Sequence, residues 1–278
     1  MSGSCGGHKS VWRSVSKQVR ESVGWRKTTR AVSLTWSPLA IIAAWELLSS
    51  TRVLEPLFFP APSTLVQTGS EMIQTGELQR HLQTTLKRML QGFVLGTTSG
   101  IVCGLAMGAI PVVRHALDPL ISALWTSPKL TLLPMLIIII GIGEAPKILL
   151  IAVGCFIVVA LYTLDGVRGV NRGYVDLARN YGANHLAILR KVYLPAVSPA
   201  VFTATRLALG RALTLTVSVE LLNSREGLGY LVYVAWQSFR IDRLYIAVVL
   251  TAGLGMLFHV SLCALEKRLL TWREIEQG

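Results

Sequence analysis

Few side chains in this sequence are placed where they can do chemistry, and the clearest are ionizable residues inside long apolar stretches. Glu220 lies within TLTVSVELL, and Arg206 and Arg211 lie shortly before it in RLALGRAL. A charge in such a stretch is costly unless it faces protein or water. Glu220 is therefore predicted either to line a path or to form a salt bridge, with Arg206 or Arg211 as its partner. The two arginines are predicted to pair with an acid, to extend towards polar surroundings or to attract an anion.

Other reaction chemistry has little support in the sequence. The five histidines are isolated and form no HExxH-type ligand pair, so a metal centre is not expected. No glycine-rich loop ends in Gly-Lys-Ser or Gly-Lys-Thr, so the chain is not expected to hydrolyse ATP itself. The four cysteines are far apart in the sequence and are predicted to be reduced: Cys5, Cys103, Cys155 and Cys263.

The composition indicates an integral membrane protein. Of 278 residues, 52% are hydrophobic and only 15% are charged, and the mean hydropathy is +0.53. A water-exposed surface needs more charge than this, so the lipid bilayer is the expected surroundings. The net charge of +12 does not indicate nucleic-acid binding, because Lys and Arg cluster at the N-terminus and in a few loops rather than on one face.

An all-α fold with six membrane spans is predicted from the long apolar stretches. Within the second stretch, glycine recurs at every fourth position from Gly92 to Gly108, which predicts a smooth ridge that another helix approaches closely. The predicted spans are Leu34 to Leu48, Leu86 to Ile110, Leu117 to Ile142, Pro146 to Leu164, Pro199 to Leu222 and Leu244 to Leu265.

The distribution of Lys and Arg predicts that both termini are cytoplasmic, because basic residues are retained on that side. Residues 1–33 are then a basic cytoplasmic leader, either an amphipathic surface helix or a disordered tail. Residues 34–272 form the six-span domain, and residues 273–278 form a cytoplasmic tail. The polar loop 165–198 and the short turn from Pro111 to Ala116 fall on the same side.

Two irregular segments are predicted between or within the spans. Pro128 and Pro134 interrupt the third span near Lys129 and Thr131, which indicates either a broken helix that lines a cavity or a simple packing kink. Before the last span, GLGYLVYVAWQSF predicts a short surface helix, suited to seating a partner or to anchoring aromatic side chains. Its predicted apolar face comprises Leu231, Val234, Ala235, Ser238 and Phe239.

The segment from Tyr174 to Pro199 is too polar to span a membrane but has near-helical spacing of apolar residues. Gly182 interrupts that spacing, so a short helix, a glycine break and a second helix are predicted. Pro195 is predicted to stop or redirect the chain before the next span. A short helix that protrudes from the membrane in this way suits docking into a groove on a partner protein.

These residues resemble the cytoplasmic EAA loop of the membrane subunits of ABC importers. That loop has the pattern Glu-Ala-Ala, three residues, Gly, nine residues, Ile, one residue, Leu-Pro. The spacing is kept here, with Asp, Leu and Val replacing Glu, Ala and Ile. By this resemblance, the residues that couple the chain to an ATPase are Asp176, Leu177, Ala178, Gly182, Val192, Leu194 and Pro195.

The resemblance extends from Pro60 to Arg273, through HLQTTLKRMLQGFVLG, GIGEAPKILLIA, RLALGRAL and EGLGYLV. It implies a type I ABC importer permease (MetI-like) fold in a bacterial cytoplasmic membrane. It further implies pairing with a second copy and with two ATPase subunits that hold ATP-Mg, while this chain holds no cofactor. A periplasmic or lipid-anchored binding protein would deliver a sulfonate, taurine, nitrate or bicarbonate. The alternatives are a self-sufficient secondary transporter or channel and a membrane enzyme, both active without an ATPase.

Overall fold

The computed structural model describes residues 39–269, which are almost entirely helical. The predicted leader helix and the C-terminal tail lie outside the described residues. The chain divides into two compact units, Met1–Gln67 and Thr68–Gly278.

The first unit contains α1 (Leu39–Ser50) and the start of α2 (Pro62–Gln74). The described helix α1 is about 18 Å long at 1.5 Å per residue, which is shorter than a membrane span. Within this unit the Glu46 carboxylate accepts hydrogen bonds from the Ser63 backbone N–H at 3.0 Å and from the Ser63 hydroxyl at 2.7 Å. These bonds fix the segment that enters α2.

The second unit is a bundle of long helices. In the part of the chain that the structure describes, four helices are each long and apolar enough to cross a membrane, and a bent helix pair brings the number to five. Its helices are α3 (Glu77–Ala109), α4 (Pro111–Thr126), α5 (Leu132–Ile140), α6 (Ala145–Arg168), α7 (Arg172–Asn180), α8 (His185–Ile188), α9 (Leu194–Asn223), α10 (Leu228–Gln237) and α11 (Ile241–Leu269).

The glycine ridge of α3 packs along α6, as predicted. The two helices run in the same direction, because Gly92 meets Ile151 at one end and Gly108 meets Val167 at the other. The approach is so close that a methyl group added to Gly96 would lie 2.2 Å from the Ala152 carbonyl oxygen. Helix α9 packs against both in the opposite direction, which buries Cys155 beside Ala208 and makes this three-helix contact the core of the bundle.

The third predicted span is a broken helix rather than one continuous span. Helix α4 and the segment that follows it from Lys129 to Ile140 are bent by 97°. Ser127 has extended backbone angles because it precedes Pro128, whose ring disfavours helical geometry at the residue before it. The predicted turn from Pro111 to Ala116 is wrong, since Pro111 begins α4 at a position that suits proline.

The loop between α6 and α9 is shorter than residues 165–198, because α6 extends to Arg168 and α9 begins at Leu194. The prediction that Pro195 stops or redirects the chain is wrong. Helix α8 continues through a π-helical turn (Leu189–Tyr193) directly into α9. Pro195 lies in the first turn of α9, where proline is tolerated.

The predicted surface helix before the last span is confirmed as α10. Leu231 and Ala235 are buried, in agreement with the predicted face, whereas Val234 is partly exposed. Phe239 lies beyond the end of the helix with φ of 53° and is 66% exposed, so its assignment to the buried face was wrong. The helical periodicity no longer applies there, because the helix ends at Gln237.

Candidate functional site

The segment between α6 and α9 forms a compact helical protrusion. Helix α7 begins after Asn171, whose side chain accepts a hydrogen bond from the Gly173 N–H at 2.8 Å. It ends at Asn180, two residues before Gly182, which has φ of +78°. The Gly182 N–H donates to the Arg179 carbonyl and the Ala183 N–H donates to the Ala178 carbonyl. This pair of bonds is a Schellman motif, and it confirms the predicted glycine break.

An exposed apolar groove lies between α7 and the start of α9. Leu177 is 55% exposed and Tyr181 is 85% exposed, although both are large and apolar or aromatic. Clustered exposed apolar side chains of this kind mark interaction surfaces. We call this surface the docking groove, and its lining residues are Tyr174, Leu177, Ala178, Tyr181, Lys191, Val192, Pro195 and Ala196.

Most of the predicted coupling residues meet at the docking groove. Of the seven, Asp176 instead forms an exposed ion pair with Arg179, at 3.7 Å, on α7 itself. Gly182 shapes the turn behind the groove, and Leu194 is partly exposed beside it. The four that line the groove directly are Leu177, Ala178, Val192 and Pro195.

A buried polar cluster lies at the opposite end of the bundle and is centred on Glu220. Its carboxylate accepts hydrogen bonds from the Arg88 guanidinium at 2.9 Å, from the Thr85 hydroxyl at 2.9 Å and from the Gly229 N–H at 3.0 Å. Glu220 is 1% exposed and Arg88 is 4% exposed. Arg88 also donates to the Glu226 carbonyl at 2.6 Å. The ion pair therefore ties α3 to the end of α9 and to the loop before α10.

The polar cluster also satisfies the start of α10, whose first N–H groups have no partner within the helix. The Gly227 N–H donates to His81, and the Leu228 N–H donates to Thr85 at 2.8 Å. Gly227 has φ of +120°, and a methyl group there would lie 2.2 Å from the Glu220 carboxylate. Glycine is thus required in EGLGYLV for the loop to pass over the buried carboxylate.

Glu144, immediately before α6, forms the exposed edge of the polar cluster. It is paired with Arg88 through two hydrogen bonds and with Lys147 at 3.0 Å. The bonds from Arg88, reinforced by Lys147, lower the pKa of Glu144 to about 2. A cavity of about 980 Å³ opens beside these residues and is lined also by Asn223, Ser224, Arg225 and Tyr233.

The predicted partners of Glu220 are wrong, because neither Arg206 nor Arg211 reaches it. Arg206 pairs with Glu266 of α11, nearer the end of the bundle that carries the docking groove. Arg211 lies over the ring of Trp125, with 5.6 Å between the guanidinium carbon and the ring centroid. Along α9, Arg206 and Arg211 precede Glu220 by fourteen and nine residues, which is about 21 and 14 Å at 1.5 Å per residue.

Sequence reasoning did not identify Arg88 as the partner of Glu220. The spacing of polar residues at the start of the second span did contain a signal for this cluster. His81, Thr85 and Arg88 recur at helical intervals in line with Gly92, so the polar residues continue the face that packs against α6. The cluster also joins HLQTTLKR, GIGEAPK and EGLGYLV, three of the segments that carried the family resemblance.

The fold and the two sites define a helical membrane permease. Residues 96–271 match the family model of binding-protein-dependent transport system inner membrane components. The chain is 34% identical over 262 residues to a putative aliphatic sulfonates transport permease of Bacillus subtilis, covering 94% of this chain and 93% of that protein. It is 32% identical over 255 residues to the taurine transport system permease of Escherichia coli, covering 89% and 93% respectively.

Solved structures share the fold. The MetNI methionine ABC transporter in an inward-facing conformation aligns with a TM-score of 0.59 and 18% identity, over 68% of this chain and 94% of that one. A bacterial alginate ABC transporter, in complex with its alginate pentasaccharide-bound periplasmic protein, aligns with a TM-score of 0.64 and 14% identity, over 88% and 97%. The chain belongs to the family of binding-protein-dependent inner membrane components, and it is a permease subunit of an ABC importer.

Proposed function

We propose that this permease carries organosulfonates, such as aliphatic sulfonates or taurine, into the bacterial cytoplasm. The aliphatic sulfonates permease and the taurine permease, which are 34% and 32% identical to this chain, support this substrate class over nitrate and bicarbonate. A periplasmic or lipid-anchored binding protein delivers the substrate at the end of the bundle that holds the polar cluster. Both termini are cytoplasmic in this arrangement, as the distribution of basic residues favours.

The docking groove is the observation that carries the proposed coupling to an ATPase. Its exposed apolar side chains, above all Leu177 and Tyr181, are in unfavourable contact with water or lipid headgroups in an isolated chain. An ATPase subunit that binds ATP-Mg would cover them. We propose that the complex contains two copies of this chain and two ATPase subunits, one at each docking groove.

The groove is joined rigidly to the transport helices, which is how ATP binding would move them. From His185 the chain runs through the π-helical turn into α9 with no flexible linker. A partner shifts a conformational equilibrium only by binding its two states differently. Movement of the ATPase would therefore tilt α9 directly and change which side of the path is open.

The three candidate path residues take different roles in this proposal. Glu220 and Arg206 are each neutralised by a partner, Arg88 and Glu266, and we assign to them the positioning of helices. Arg211 has no such carboxylate partner within residues 39–269, and it remains the candidate for contact with a translocated anion.

The test is uptake by the complex purified from its native membrane through an affinity tag on this chain. The complex is reconstituted into vesicles with its binding protein, and uptake of radiolabelled taurine and ethanesulfonate is measured with and without ATP. ATP-dependent uptake of one or both is expected. Uptake that needs only an ion gradient would instead support the self-sufficient secondary transporter.

A Leu177→Asp variant tests the docking groove in the same assay. A buried charge without a partner at an interface is costly, so the variant should lose the ATPase subunit from the purified complex. The matched control is Leu57→Asp between α1 and α2, where the side chain is similarly exposed at 52% and lies outside every candidate span. If the Leu177→Asp variant retains the ATPase subunit, the groove is not the docking site of that subunit.

A further inference from the structure

Two cationic side chains meet at one aromatic ring where the third span is broken. The Lys129 ammonium lies 5.7 Å from the centroid of the Trp125 ring, and the Arg211 guanidinium lies 5.6 Å from it. These distances place the two charges no more than about 11 Å apart. Lys129 belongs to the turn after Pro128, while Arg211 projects from α9, so the 97° bend is what brings them together.

Neither charge is neutralised by a carboxylate. Within the described range 39–269, the ion pairs of the second unit are formed by basic residues other than Lys129 and Arg211. Lys129 donates a hydrogen bond only to a neutral acceptor, the Trp125 carbonyl oxygen, at 2.5 Å. The nearest acid on α4 is Asp118, two helical turns before Trp125. Like charges repel, so this arrangement is more favourable when an anion lies between them.

The position of Arg211 along α9 excludes a simple anchoring role. It lies about 17 Å from the nearer end of the predicted span Pro199 to Leu222 at 1.5 Å per residue. That distance exceeds the reach of an arginine side chain to the headgroups. A charged residue this far inside a span faces protein or a water-filled path rather than lipid.

Two further polar residues lie on the face of α9 that carries Arg211. Thr214 and Ser218 follow at intervals of three and four residues, and Thr214 is exposed while Ser218 is partly exposed in this chain. Their hydroxyls donate to the helix backbone, which leaves the oxygens to accept hydrogen bonds from water or a ligand. A polar stripe on a membrane helix indicates contact with water, as a translocation path requires.

We propose that Lys129, Arg211 and Trp125 form an anion-binding site, midway through the membrane, that holds the sulfonate group of the transported organic anion. This inference rests on the proposed function, and it specifies where along the translocation path the anionic group of that substrate class binds. The two cations bind the sulfonate oxygens, and the indole ring sets their positions and contacts the carbon stem of the substrate.

The first test is the concentration dependence of ethanesulfonate uptake by the reconstituted complex in zwitterionic lipid. Lys129→Gln and Arg211→Gln should each raise KM by about tenfold, since each removes one charge-assisted hydrogen bond to the anion. Lys129→Arg should retain most of the affinity because the charge is kept. Lys87→Gln is the matched control, because it removes an exposed cation from α3 away from the site.

The second test measures binding without transport. The difference in tryptophan fluorescence between the wild-type complex and Trp125→Phe is titrated with ethanesulfonate and with dimethyl sulfone, a neutral compound of similar shape. We expect a saturable response to ethanesulfonate and no response to dimethyl sulfone. The Lys129→Gln, Arg211→Gln double variant should lose the response to ethanesulfonate.

The outcomes separate this site from the proposed function. If the wild type shows ATP-dependent uptake and the double variant has an unchanged KM, the site is wrong while the proposed function stands. If the wild type shows no such uptake, the proposed function fails, and the fluorescence titration alone decides the site. A response that follows the content of anionic lipid instead of ethanesulfonate would assign the cations to lipid phosphates and overturn the proposal.

Discussion

At the scale of single residues, the ion pair of Arg88 and Glu220 is the most constrained feature of the bundle. Each group is almost fully buried and each has several hydrogen bonds, which compensate for the loss of water. Removing Arg88 leaves Glu220 buried without a countercharge, whereas removing Glu220 leaves Arg88 with Glu144 as its remaining acidic partner. The cost of removing Arg88 should exceed the contribution of the pair itself.

Glu220→Gln should destabilise the purified permease by about 1 to 3 kcal/mol, less than a fully unpaired buried charge would cost, because Arg88 keeps Glu144 as a partner. The measurement is thermal unfolding in detergent, monitored as the fraction of the protein that remains monodisperse. Lys87→Gln, one residue before Arg88 and exposed, should unfold like the wild type. A Glu220→Gln protein of wild-type stability that has lost transport would instead favour a role for Glu220 in the path.

The pair of Glu144 with Arg88 predicts a particular dependence on pH. Because the pKa of Glu144 is lowered to about 2, the pair stabilises the folded chain fully above the ordinary carboxyl pKa of 4.5 and loses this effect as the pH falls towards 2. The stability difference between the wild type and Glu144→Gln should be constant from pH 8 to 5 and should shrink below pH 4.5. Denaturant unfolding of both proteins at each pH checks this, and a difference that shrinks between pH 8 and 6 would contradict it.

At the scale of helices, the contact between α3 and α6 depends on the absence of side chains. Gly96→Ala should separate the two helices, because the added methyl group would overlap the Ala152 carbonyl oxygen. The expected cost is about 1 to 3 kcal/mol, measured by thermal unfolding. Gly253→Ala in α11 is the matched control, since no atom lies within 4 Å of the added group, and it should be neutral or slightly stabilising. Equal stability of the two variants would refute the close packing.

The glycine break after α7 is set by backbone conformation rather than by space. A side chain at Gly182 would meet no atom within 4 Å, but φ of +78° is strained for most residues. Gly182→Ala should cost about 1 to 2 kcal/mol locally and reduce coupling of ATP hydrolysis to uptake. Gly182→Asn should retain more coupling, because asparagine tolerates this region. Identical ratios of uptake to ATP hydrolysis in the two variants would show that the conformation does not matter.

At the scale of the whole molecule, the docking groove and the polar cluster lie at opposite ends of the bundle. Tyr181→Cys and Arg225→Cys should therefore be labelled from opposite sides of the membrane by an impermeant maleimide. The background is a chain in which the four cysteines are replaced by alanine. Labelling of Tyr181→Cys from outside intact cells would contradict a cytoplasmic docking groove.

Elements with a strong local signal were predicted well. The glycine ridge, the break at Gly182 and helix α10 each follow from spacing or from the conformational freedom of glycine, which neighbouring residues reveal. For the third span, the prolines left a broken helix and a packing kink as alternatives, because a proline marks an interruption without fixing its angle. The continuation through Pro195 was missed because a π-helical turn lacks a recognisable sequence pattern.

The sequence by itself determined the class of protein. Hydropathy, the distribution of basic residues and the spacing around Gly182 depend on local composition, so they can be read from the sequence without knowledge of the fold. Only the tertiary structure decided which charges meet. Arg88 and Glu220 are 132 positions apart, and Lys129 joins Arg211 only because the chain bends at Pro128. Such pairings arise from helix packing, and no local pattern specifies them.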